Sequence, residues 1–273
     1  MNVHPVRVPD LKQKKARGEK IAALTAYDAT MARLLDRAGV DMILVGDSVG
    51  MVVLGYADTV SVTLDDMLHH TRAVVRGVER ALVVVDMPFL SYQVSVPDAV
   101  RNAGRLLQEG GAGAVKLEGG RPVLDVVKRF VDVGIPVMGH LGLQPQSVRQ
   151  IGGYAKSATR PDAADRLVED AMALRDAGAF GVVLESIPAE LARMVTNSID
   201  IPTIGIGAGP DCDGQILVSS DMLGLFDQFV PSFVQQYAKL SETIVTATRA
   251  YVTDVHEGRY PRALSKVEGI ANT

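Results

Sequence analysis

Short apolar runs that end in a polar or ionisable residue recur along the chain. The run 42–45, Met-Ile-Leu-Val, is followed by Gly46, Asp47 and Ser48. Four later runs end in the same way, at Asp86, at Lys116 and Glu118, at His140, and at Glu185. Apolar runs of this length, bounded by glycine or turn residues, are typical of strands buried on both faces. The pattern therefore predicts buried strands whose carboxyl ends carry ionisable side chains.

Apolar residues at helical spacing fill the stretches between these runs, and several of these stretches stop at a glycine. The sequence predicts eight strands, at 21–26, 42–47, 82–86, 114–118, 136–140, 181–185, 203–206 and 215–218. A repeated helix-stop-strand unit without linkers indicates an α/β protein, and we expect a (β/α)8 TIM barrel. An open doubly wound sheet is the alternative, but such a sheet places ligands near one switch point.

We expect one domain over 1–273, with an N-terminal arm at 1–20, the barrel at 21–230, and C-terminal helices with a tail at 231–273. Apolar spacing over 231–256 predicts one or two long helices there. The long connections 49–62 and 144–161 follow predicted strands, and long ordered loops are often functional. We therefore expect both connections to contribute to a site.

Composition and charge exclude several classes of protein. The 273 residues are 47% apolar, carry a formal net charge of −4 and include no Trp, which argues against a nucleic-acid partner. No apolar run approaches the ~20 residues that a membrane span requires, and the polar N-terminus does not resemble a secretory signal. Cys212 is the single cysteine, so no disulfide can form within the chain and a reducing cytoplasm is the expected compartment.

The carboxyl ends of the strands of a barrel lie on one face, so the polar strand ends should form one site. We expect the carboxylates Asp47, Asp86, Glu118 and Glu185 to lie together, with Lys116 and His140 near them. Neighbouring carboxylates stay ionised only beside a counter-charge. Mg²⁺ prefers one or two carboxylates plus water and substrate oxygens, so Asp47 and Asp86 are the expected metal ligands.

Each of these residues also has a structural interpretation. An Asp after a strand often only caps the next helix, and this interpretation comes first for Asp47 or Asp86 taken alone. For Lys116 the structural alternative is an ion pair with Glu118, and we favour a role in the site. For His140 we favour a structural role, as a histidine at the edge of the core that is hydrogen-bonded to the backbone.

Several motifs in one order resemble the ketopantoate hydroxymethyltransferase (3-methyl-2-oxobutanoate hydroxymethyltransferase) family, from about Thr25 to Pro261. The motifs are Val45-Gly46-Asp47-Ser48, Asp86-Met87-Pro88-Phe89, Val115-Lys116-Leu117-Glu118-Gly119-Gly120, Gly139-His140-Leu141-Gly142-Leu143-Gln144-Pro145-Gln146-Ser147, Leu184-Glu185-Ser186-Ile187-Pro188, Gly205-Ile206-Gly207-Ala208-Gly209 and Asp213-Gly214-Gln215-Ile216-Leu217-Val218. A series of motifs is far more specific than any one of them.

The resemblance implies a phosphoenolpyruvate/pyruvate-type barrel, a Mg²⁺ ion and a homodecamer. It also implies transfer of a hydroxymethyl group from 5,10-methylenetetrahydrofolate to 3-methyl-2-oxobutanoate, giving 2-dehydropantoate in pantothenate and coenzyme A biosynthesis. By motif, Asp47 and Asp86 correspond to metal ligands beside the substrate, and Glu118 to a further metal-site carboxylate. Ser48 and Lys116 correspond to substrate-binding positions, and Glu185 to the proton acceptor.

Two segments depart from the family pattern. After Gly152-Gly153-Tyr154 the family usually has a Lys-Val-Gln-Gly-Arg-like run, where this chain has Ala-Lys-Ser-Ala-Thr-Arg at 155–160. Ser220 stands where the family would have a His. Both departures bear on loop closure or folate contacts.

Two other functions are compatible with the pattern. The alternative enzyme is a Mg²⁺-dependent carbon–carbon lyase of the isocitrate lyase/phosphoenolpyruvate mutase type, which would need no folate. The non-enzyme alternative is a barrel that binds a ligand or assembles without catalysis.

Overall fold

The computed structural model describes residues 4–153 and 157–261. The described residues form a closed parallel barrel of eight strands, in which each strand pairs with the next and the last pairs with the first. The strands are β1 (Ile21–Thr25), β2 (Met42–Val45), β3 (Leu82–Asp86), β4 (Ala114–Glu118), β5 (Val137–Gly142), β6 (Gly181–Glu185), β7 (Thr203–Ile206) and β8 (Gly214–Leu217). The predicted fold class is confirmed, and the predicted strand ends are within two residues of the observed ones.

Helices alternate with these strands. They are α1 (Val8–Ala16), α2 (Ala29–Ala38), α3 (Val49–Val52), α4 (Leu64–Val75), α5 (Val96–Gln108), α6 (Leu124–Asp132), α7 (Val148–Ile151), α8 (Pro161–Asp176), α9 (Ala189–Ser198), α10 (Ser219–Met222) and α11 (Leu240–His256). Single 3₁₀ turns occupy Arg121–Val123 and Pro145–Ser147. Within the described ranges, no helix is both long and apolar enough to cross a bilayer.

Local sequence signals explain where several helices begin and end. Asp28 caps α2, because its carboxylate accepts hydrogen bonds from the backbone N–H groups of Thr30 and Met31. The same helix ends at Gly39, whose φ of 95° favours glycine. Thr63 and Asp66 form a reciprocal capping box that begins α4.

Side chains of the strands alternate between the barrel interior and the surrounding helices, because the side-chain period of a strand is two. The interior apolar cluster consists of Leu11, Ile21, Ala23, Met42, Leu44, Leu82, Val84, Ala114, Met138, Val183, Ile204 and Ile216. Two positions after the interior members of β3, β4, β5 and β6 come Asp86, Lys116, His140 and Glu185. The same period therefore directs these four polar side chains into the barrel at the carboxyl ends of the strands.

Helix α1 covers the opposite, amino-terminal end of the barrel. Leu11 on this helix is fully buried and belongs to the interior cluster. Lys14 and Lys15 form ion pairs with Asp41 and Asp213, which directly precede β2 and β8, at 3.2 and 2.8 Å. The predicted N-terminal arm thus contains a helix that packs against the core.

The chain divides into two compact units, Met1–Ser219 and Ser220–Thr273. In the second unit, the sequence pattern predicted helix over 231–256, but the only described helix beyond residue 222 is α11. The backbone N–H groups of Tyr237, Leu240 and Ser241 donate to the carbonyls of residues 222–224. In a continuous helix these N–H groups would donate to carbonyls four residues earlier, so the predicted helix start at 231 was wrong.

The predicted bounds of the N-terminal arm, the barrel and the C-terminal segment remain a prediction.

Candidate active site

The structure brings the predicted ionisable residues together at the carboxyl end of the barrel. Asp47 follows β2, Asp86 ends β3, Lys116 and Glu118 lie on β4, and Glu185 ends β6. Asp47, Asp86, Lys116 and Glu118 are all buried, with no more than 6% of each residue exposed. The Glu185 side chain is 18% exposed, against 4% for that of Glu118, so it is the more accessible of the two glutamates.

Strand register determines the first contact in this cluster. Asp86 and Lys116 are direct neighbours across β3 and β4, and Lys116 Nζ lies 2.8 Å from Asp86 Oδ1. Asp86, rather than Glu118, is therefore the ion-pair partner of Lys116. Burial favours the neutral amine, but Asp86, Glu118 and Asp47 outweigh it and raise the pKa of Lys116. Lys116 is a permanent cation within the cluster.

His140 lies inside the site, and the expectation that it bonds to the backbone was wrong. Its Nδ1 lies 3.1 Å from Lys116 Nζ, and its Nε2 lies 3.1 Å from Glu185 Oε2 without hydrogen-bonding geometry. Burial and then Lys116 hold the pKa of His140 well below its usual value. Because the ammonium donates to Nδ1, the neutral ring carries its proton on Nε2, facing Glu185.

Glu185 has a glycine beside it on one of its two neighbouring strands. Its cross-strand neighbour on β5 is Gly142, and a Cβ there would lie 2.2 Å from the Glu185 carbonyl oxygen. Ser186, the next residue, has a φ of 48°, an unusual conformation for a residue other than glycine. Burial raises the pKa of Glu185 to about 7. A carboxylate with this pKa can accept or return a proton near neutral pH.

Ser48, which follows Asp47 after β2, is more exposed than its neighbour. Its Oγ lies 2.8 Å from the Tyr27 hydroxyl. A Cβ on Gly46 would lie 2.7 Å from Ser48 Oγ and 3.5 Å from Asp86 Oδ2. A larger residue at position 46 would therefore displace the Ser48 hydroxyl from its present position.

Gln146 and Tyr92 join the cluster although neither was predicted as a site residue. Gln146 Nε2 donates to Asp47 Oδ2 at 2.9 Å, and the Gln146 backbone N–H donates to Glu118 Oε2 at 3.1 Å. The Tyr92 hydroxyl lies 2.9 Å from Gln146 Oε1. Gln146 lies in the connection 144–161, which the sequence predicted to contribute to the site. That prediction pointed to the loop but not to this residue.

The carboxylates of the site lack sufficient counter-charge. Burial and then Asp86 raise the pKa of Asp47 to about 7. Burial and then Asp47 raise the pKa of Glu118 well above its usual value. Lys116 is the one cation in hydrogen-bonding or ion-pairing contact with these carboxylates among the described residues. An added cation would therefore bind favourably.

The donor set fits a hard divalent cation that takes few protein ligands. Asp86 Oδ1 is buried and, apart from its ion pair with Lys116, has no partner in hydrogen-bonding geometry. No group of three or more His, Cys, Asp or Glu side chains in the described ranges could hold a metal by itself. Mg²⁺ is commonly held by one or two carboxylates and completed by water and substrate oxygens. Asp47 and Asp86 fit this pattern, and Glu118 fits a contact through water.

Two loops near the site are tied to each other. Arg149 on α7 donates to Asp58 in the connection between β2 and α4, with Nε 3.0 Å from Asp58 Oδ2. The Ser157 backbone N–H donates to the carbonyl of Ser186 at 2.8 Å. The family departure at 155–160 lies partly outside the described residues, which omit 154–156, and the departure at Ser220 lies in the second unit.

The chain resembles known proteins over nearly its whole length. Residues 5–263 match the model of the family described as ketopantoate hydroxymethyltransferase. The 3-methyl-2-oxobutanoate hydroxymethyltransferase of Moorella thermoacetica is 59% identical over 256 residues, which cover 94% of this chain and 95% of that protein. The protein of the same name from Syntrophus aciditrophicus is 58% identical, with 92% of each chain covered.

Solved structures of other enzymes share the fold. A crystal structure of 2,3-dimethylmalate lyase, a member of the phosphoenolpyruvate mutase/isocitrate lyase superfamily, superposes with a TM-score of 0.60 at 20% identity, covering 95% of this chain and 90% of that chain. A phosphonopyruvate hydrolase in complex with oxalate and Mg²⁺ superposes with a TM-score of 0.61 at 12% identity, covering 97% and 91%. These identities support a shared fold only. The family match and the close relatives go further: the chain belongs to the ketopantoate hydroxymethyltransferase family.

Proposed function

We propose that this chain transfers a hydroxymethyl group from 5,10-methylenetetrahydrofolate to 3-methyl-2-oxobutanoate, giving 2-dehydropantoate and tetrahydrofolate in pantothenate synthesis. The observation that carries the proposal is the 59% identity over 94% of the chain to a 3-methyl-2-oxobutanoate hydroxymethyltransferase. The site supports it in two ways. The buried Lys116 ammonium and the carboxylates of Asp47 and Asp86 can hold the charged oxygens of a 2-oxo acid and its metal ion. Glu185, whose pKa is about 7, can exchange a proton with the substrate near neutral pH.

We assign the metal-binding role to Asp47 and Asp86, with Glu118 acting through water. When bound there, Mg²⁺ supplies a Lewis acid that draws charge from the keto oxygen and makes the C3 hydrogen more acidic. Lys116 and Ser48 would bind the keto acid by donating to its oxygens. The neighbouring Asp86, at 2.8 Å from Lys116 Nζ, keeps that ammonium charged.

Glu185 is the proposed proton acceptor. Its carboxylate takes the C3 proton, and the Lys116 ammonium stabilises the negative charge that develops on the enolate oxygen. Water adds to the folate methylene carbon as both of its bonds to folate nitrogens break, which gives tetrahydrofolate and formaldehyde held in the site. The C3 carbon then bonds to the formaldehyde carbon, and the formaldehyde oxygen takes the proton back from Glu185 to become the hydroxyl of the product. The Lys116 ammonium also favours the ionised form of Glu185, against the burial that raises the pKa of this carboxyl group.

The first experiment separates enolate formation from folate chemistry. The protein is incubated with Mg²⁺ and 3-methyl-2-oxobutanoate in heavy water without folate, and C3 deuteration is followed by NMR. We expect exchange with the wild-type protein and at least about a 10²-fold slower exchange with Glu185→Gln. The control is Glu190→Gln, an exposed carboxylate on α9 that pairs with Arg193. Exchange at wild-type rate by Glu185→Gln would remove Glu185 as the proton acceptor.

The second experiment adds 5,10-methylenetetrahydrofolate and measures 2-dehydropantoate. A folate-dependent product is expected, and its formation excludes both a folate-independent lyase and a barrel without catalysis. Product formed equally well without folate, or no product from a folded protein, contradicts the proposed function.

We also propose that the chain forms a homo-oligomer, a decamer by family resemblance, in a reducing cytoplasm. Helix α11 has no buried residue. Its exposed apolar side chains are Ile244, Val245, Tyr251, Val252 and Val255. Light scattering coupled to gel filtration measures the assembly, and a monomeric mass at micromolar concentration contradicts this proposal.

A further inference from the structure

The amide of Gln146 has hydrogen-bonding partners on all sides. Its Nε2 donates to Asp47 Oδ2 and to the Met87 carbonyl, each at 2.9 Å. Its Oε1 accepts from the Tyr92 hydroxyl at 2.9 Å and from Gln93 Nε2 at 3.3 Å. Because Nε2 faces two acceptors, the amide has only one orientation that satisfies every partner.

The backbone of the same residue reaches a second carboxylate. The Gln146 N–H donates to Glu118 Oε2 at 3.1 Å. A single residue therefore donates to the carboxylates that follow β2 and end β4, and also bonds to the residue after β3. Gln146 is only 5% exposed, so these hydrogen bonds form in a site from which water is largely excluded.

Tyr92 extends the network in one direction. The Glu118 backbone N–H donates to the Tyr92 hydroxyl oxygen at 3.1 Å, and that hydroxyl in turn donates to Gln146 Oε1. The donors thus run from the β4 backbone through Tyr92 and Gln146 to the Asp47 carboxylate. Hydrogen bonds aligned in this way polarise one another, so loss of an early member weakens the last.

We propose that Gln146 is a positioning residue, which orients Asp47 and Glu118 so that Oδ1 of Asp47 and the carboxylate of Asp86 converge on one cation. The Nε2–H bond occupies Oδ2 of Asp47 and leaves Oδ1 available. This inference rests on the proposed function, because it supposes that Asp47 and Asp86 bind the metal. Partners that orient ligands in this way typically change metal affinity by about 10- to 100-fold.

The test measures Mg²⁺ binding to the folate-free protein by isothermal titration calorimetry, together with kcat and the KM values for both substrates. For Gln146→Leu we expect Mg²⁺ binding to weaken by about 10- to 100-fold. The KM for 3-methyl-2-oxobutanoate should rise, and the KM for the folate should not change. For Tyr92→Phe, which keeps the ring, we expect a smaller weakening in the same direction.

Gln150→Leu is the matched control, since Gln150 lies four residues after Gln146, on the short helix α7 that follows its 3₁₀ turn, and is exposed. It should bind Mg²⁺ like the wild-type protein. A purely structural role for Gln146 would lower the melting temperature of Gln146→Leu and leave Mg²⁺ affinity unchanged, and this result would overturn the inference. If Gln146→Leu does not fold, the Mg²⁺ affinity of Tyr92→Phe serves as the test. An affinity equal to that of the wild-type protein would overturn the inference.

The wild-type protein separates the two proposals. If it forms 2-dehydropantoate and the variants bind Mg²⁺ as it does, the inference fails and the proposed function stands. If the wild-type protein neither binds Mg²⁺ nor forms product, the proposed function fails and the inference fails with it.

Discussion

The two ends of the barrel handle buried charge in opposite ways. At the amino-terminal end, Asp41 and Asp213 each have a lysine from α1 within 3.2 Å. At the carboxyl-terminal end, Lys116 is the one cation among the described residues for the carboxylates of Asp47, Asp86, Glu118 and Glu185. The first arrangement is complete without a ligand, whereas the second leaves negative charge that a ligand can neutralise.

This difference separates stability from function within one fold. At the amino-terminal end, the ion pairs of α1 and the insertion of Leu11 into the interior cluster hold the helix over the end of the barrel. Crowding at the other end opposes folding, because burial and neighbouring carboxylates raise the pKa values of Asp47 and Glu118. Groups perturbed in this way are characteristic of functional sites. Substitutions at the two ends should therefore affect different quantities.

The largest expected effect is on activity, at the carboxyl-terminal end. Asp86→Asn removes the charge that pairs with Lys116 and the oxygen proposed for the metal, so kcat/KM should fall by about 10²- to 10³-fold or more. The melting temperature should fall little. The control is Asp200→Asn, an exposed carboxylate that precedes β7. Equal activity of Asp86→Asn and wild type would contradict the assigned role of this end.

The next effect is on stability, at the amino-terminal end. Leu11→Ala removes a fully buried side chain from the interior cluster, so the free energy of unfolding should fall by about 2–5 kcal/mol. Activity per folded molecule, measured well below the melting temperature, should match the wild-type value. A large loss of kcat with unchanged stability would show that the two ends are not separable.

The pH dependence of stability should arise at the carboxyl-terminal end. The folded pKa values of Asp47 and Glu185, about 7, lie above the usual values of 3.8 and 4.5, so the folded state holds more protons between pH 4 and pH 7. Stability is therefore full at low pH and declines as pH rises through about 7. In EDTA, the melting temperature should fall by several degrees from pH 5 to pH 8.

Two comparisons sharpen this prediction. Added Mg²⁺ should raise the melting temperature more at pH 8 than at pH 5, because it binds the ionised carboxylates. In Asp47→Asn, the decline with pH should be smaller, as one of the titrating groups is gone. A melting temperature that rises from pH 5 to pH 8 in EDTA has the opposite sign and contradicts this account.

The smallest effect concerns the lysines of α1. Lys15 donates to both Asp213 and the Thr196 carbonyl and is half-buried, so Lys15→Met should cost about 1–2 kcal/mol of unfolding free energy. Lys12 pairs with Asp200, with both side chains more than half exposed, so Lys12→Met should cost less than about 0.5 kcal/mol. Urea denaturation measures both, and equal costs would contradict the pairing described for the amino-terminal end.

The sequence pattern was sufficient to predict the barrel, because the apolar runs of the strands and the helical spacing between them were both clear. Apolar runs marked the strands, and the rule that strand ends converge placed Asp47, Asp86, Glu118 and Glu185 in one cluster. His140 was assigned wrongly, although it lies two positions after the interior residue Met138 and the strand period alone directs it inward. The rule correctly placed His140 at this end of the barrel, and the error was to expect a backbone hydrogen bond where the ring contacts Lys116 and Glu185.

Other features depended on contacts that no local pattern encodes. Tyr92 and Gln146 reach the site from loops, and their partners are 26 to 99 positions away in the sequence. The helix predicted from 231 failed because backbone donors near residue 240 bond to a turn at 222–224. Such nonlocal hydrogen bonds override apolar spacing, and only the fold reveals them.

A crystal structure with Mn²⁺ in place of Mg²⁺ and with 3-methyl-2-oxobutanoate, located by anomalous scattering, tests the central claim most directly. The account predicts one ion within about 2.0–2.3 Å of an oxygen of Asp47 and an oxygen of Asp86, with keto-acid oxygens beside it. An ion bound elsewhere, or keto acid bound away from these two carboxylates, would contradict it.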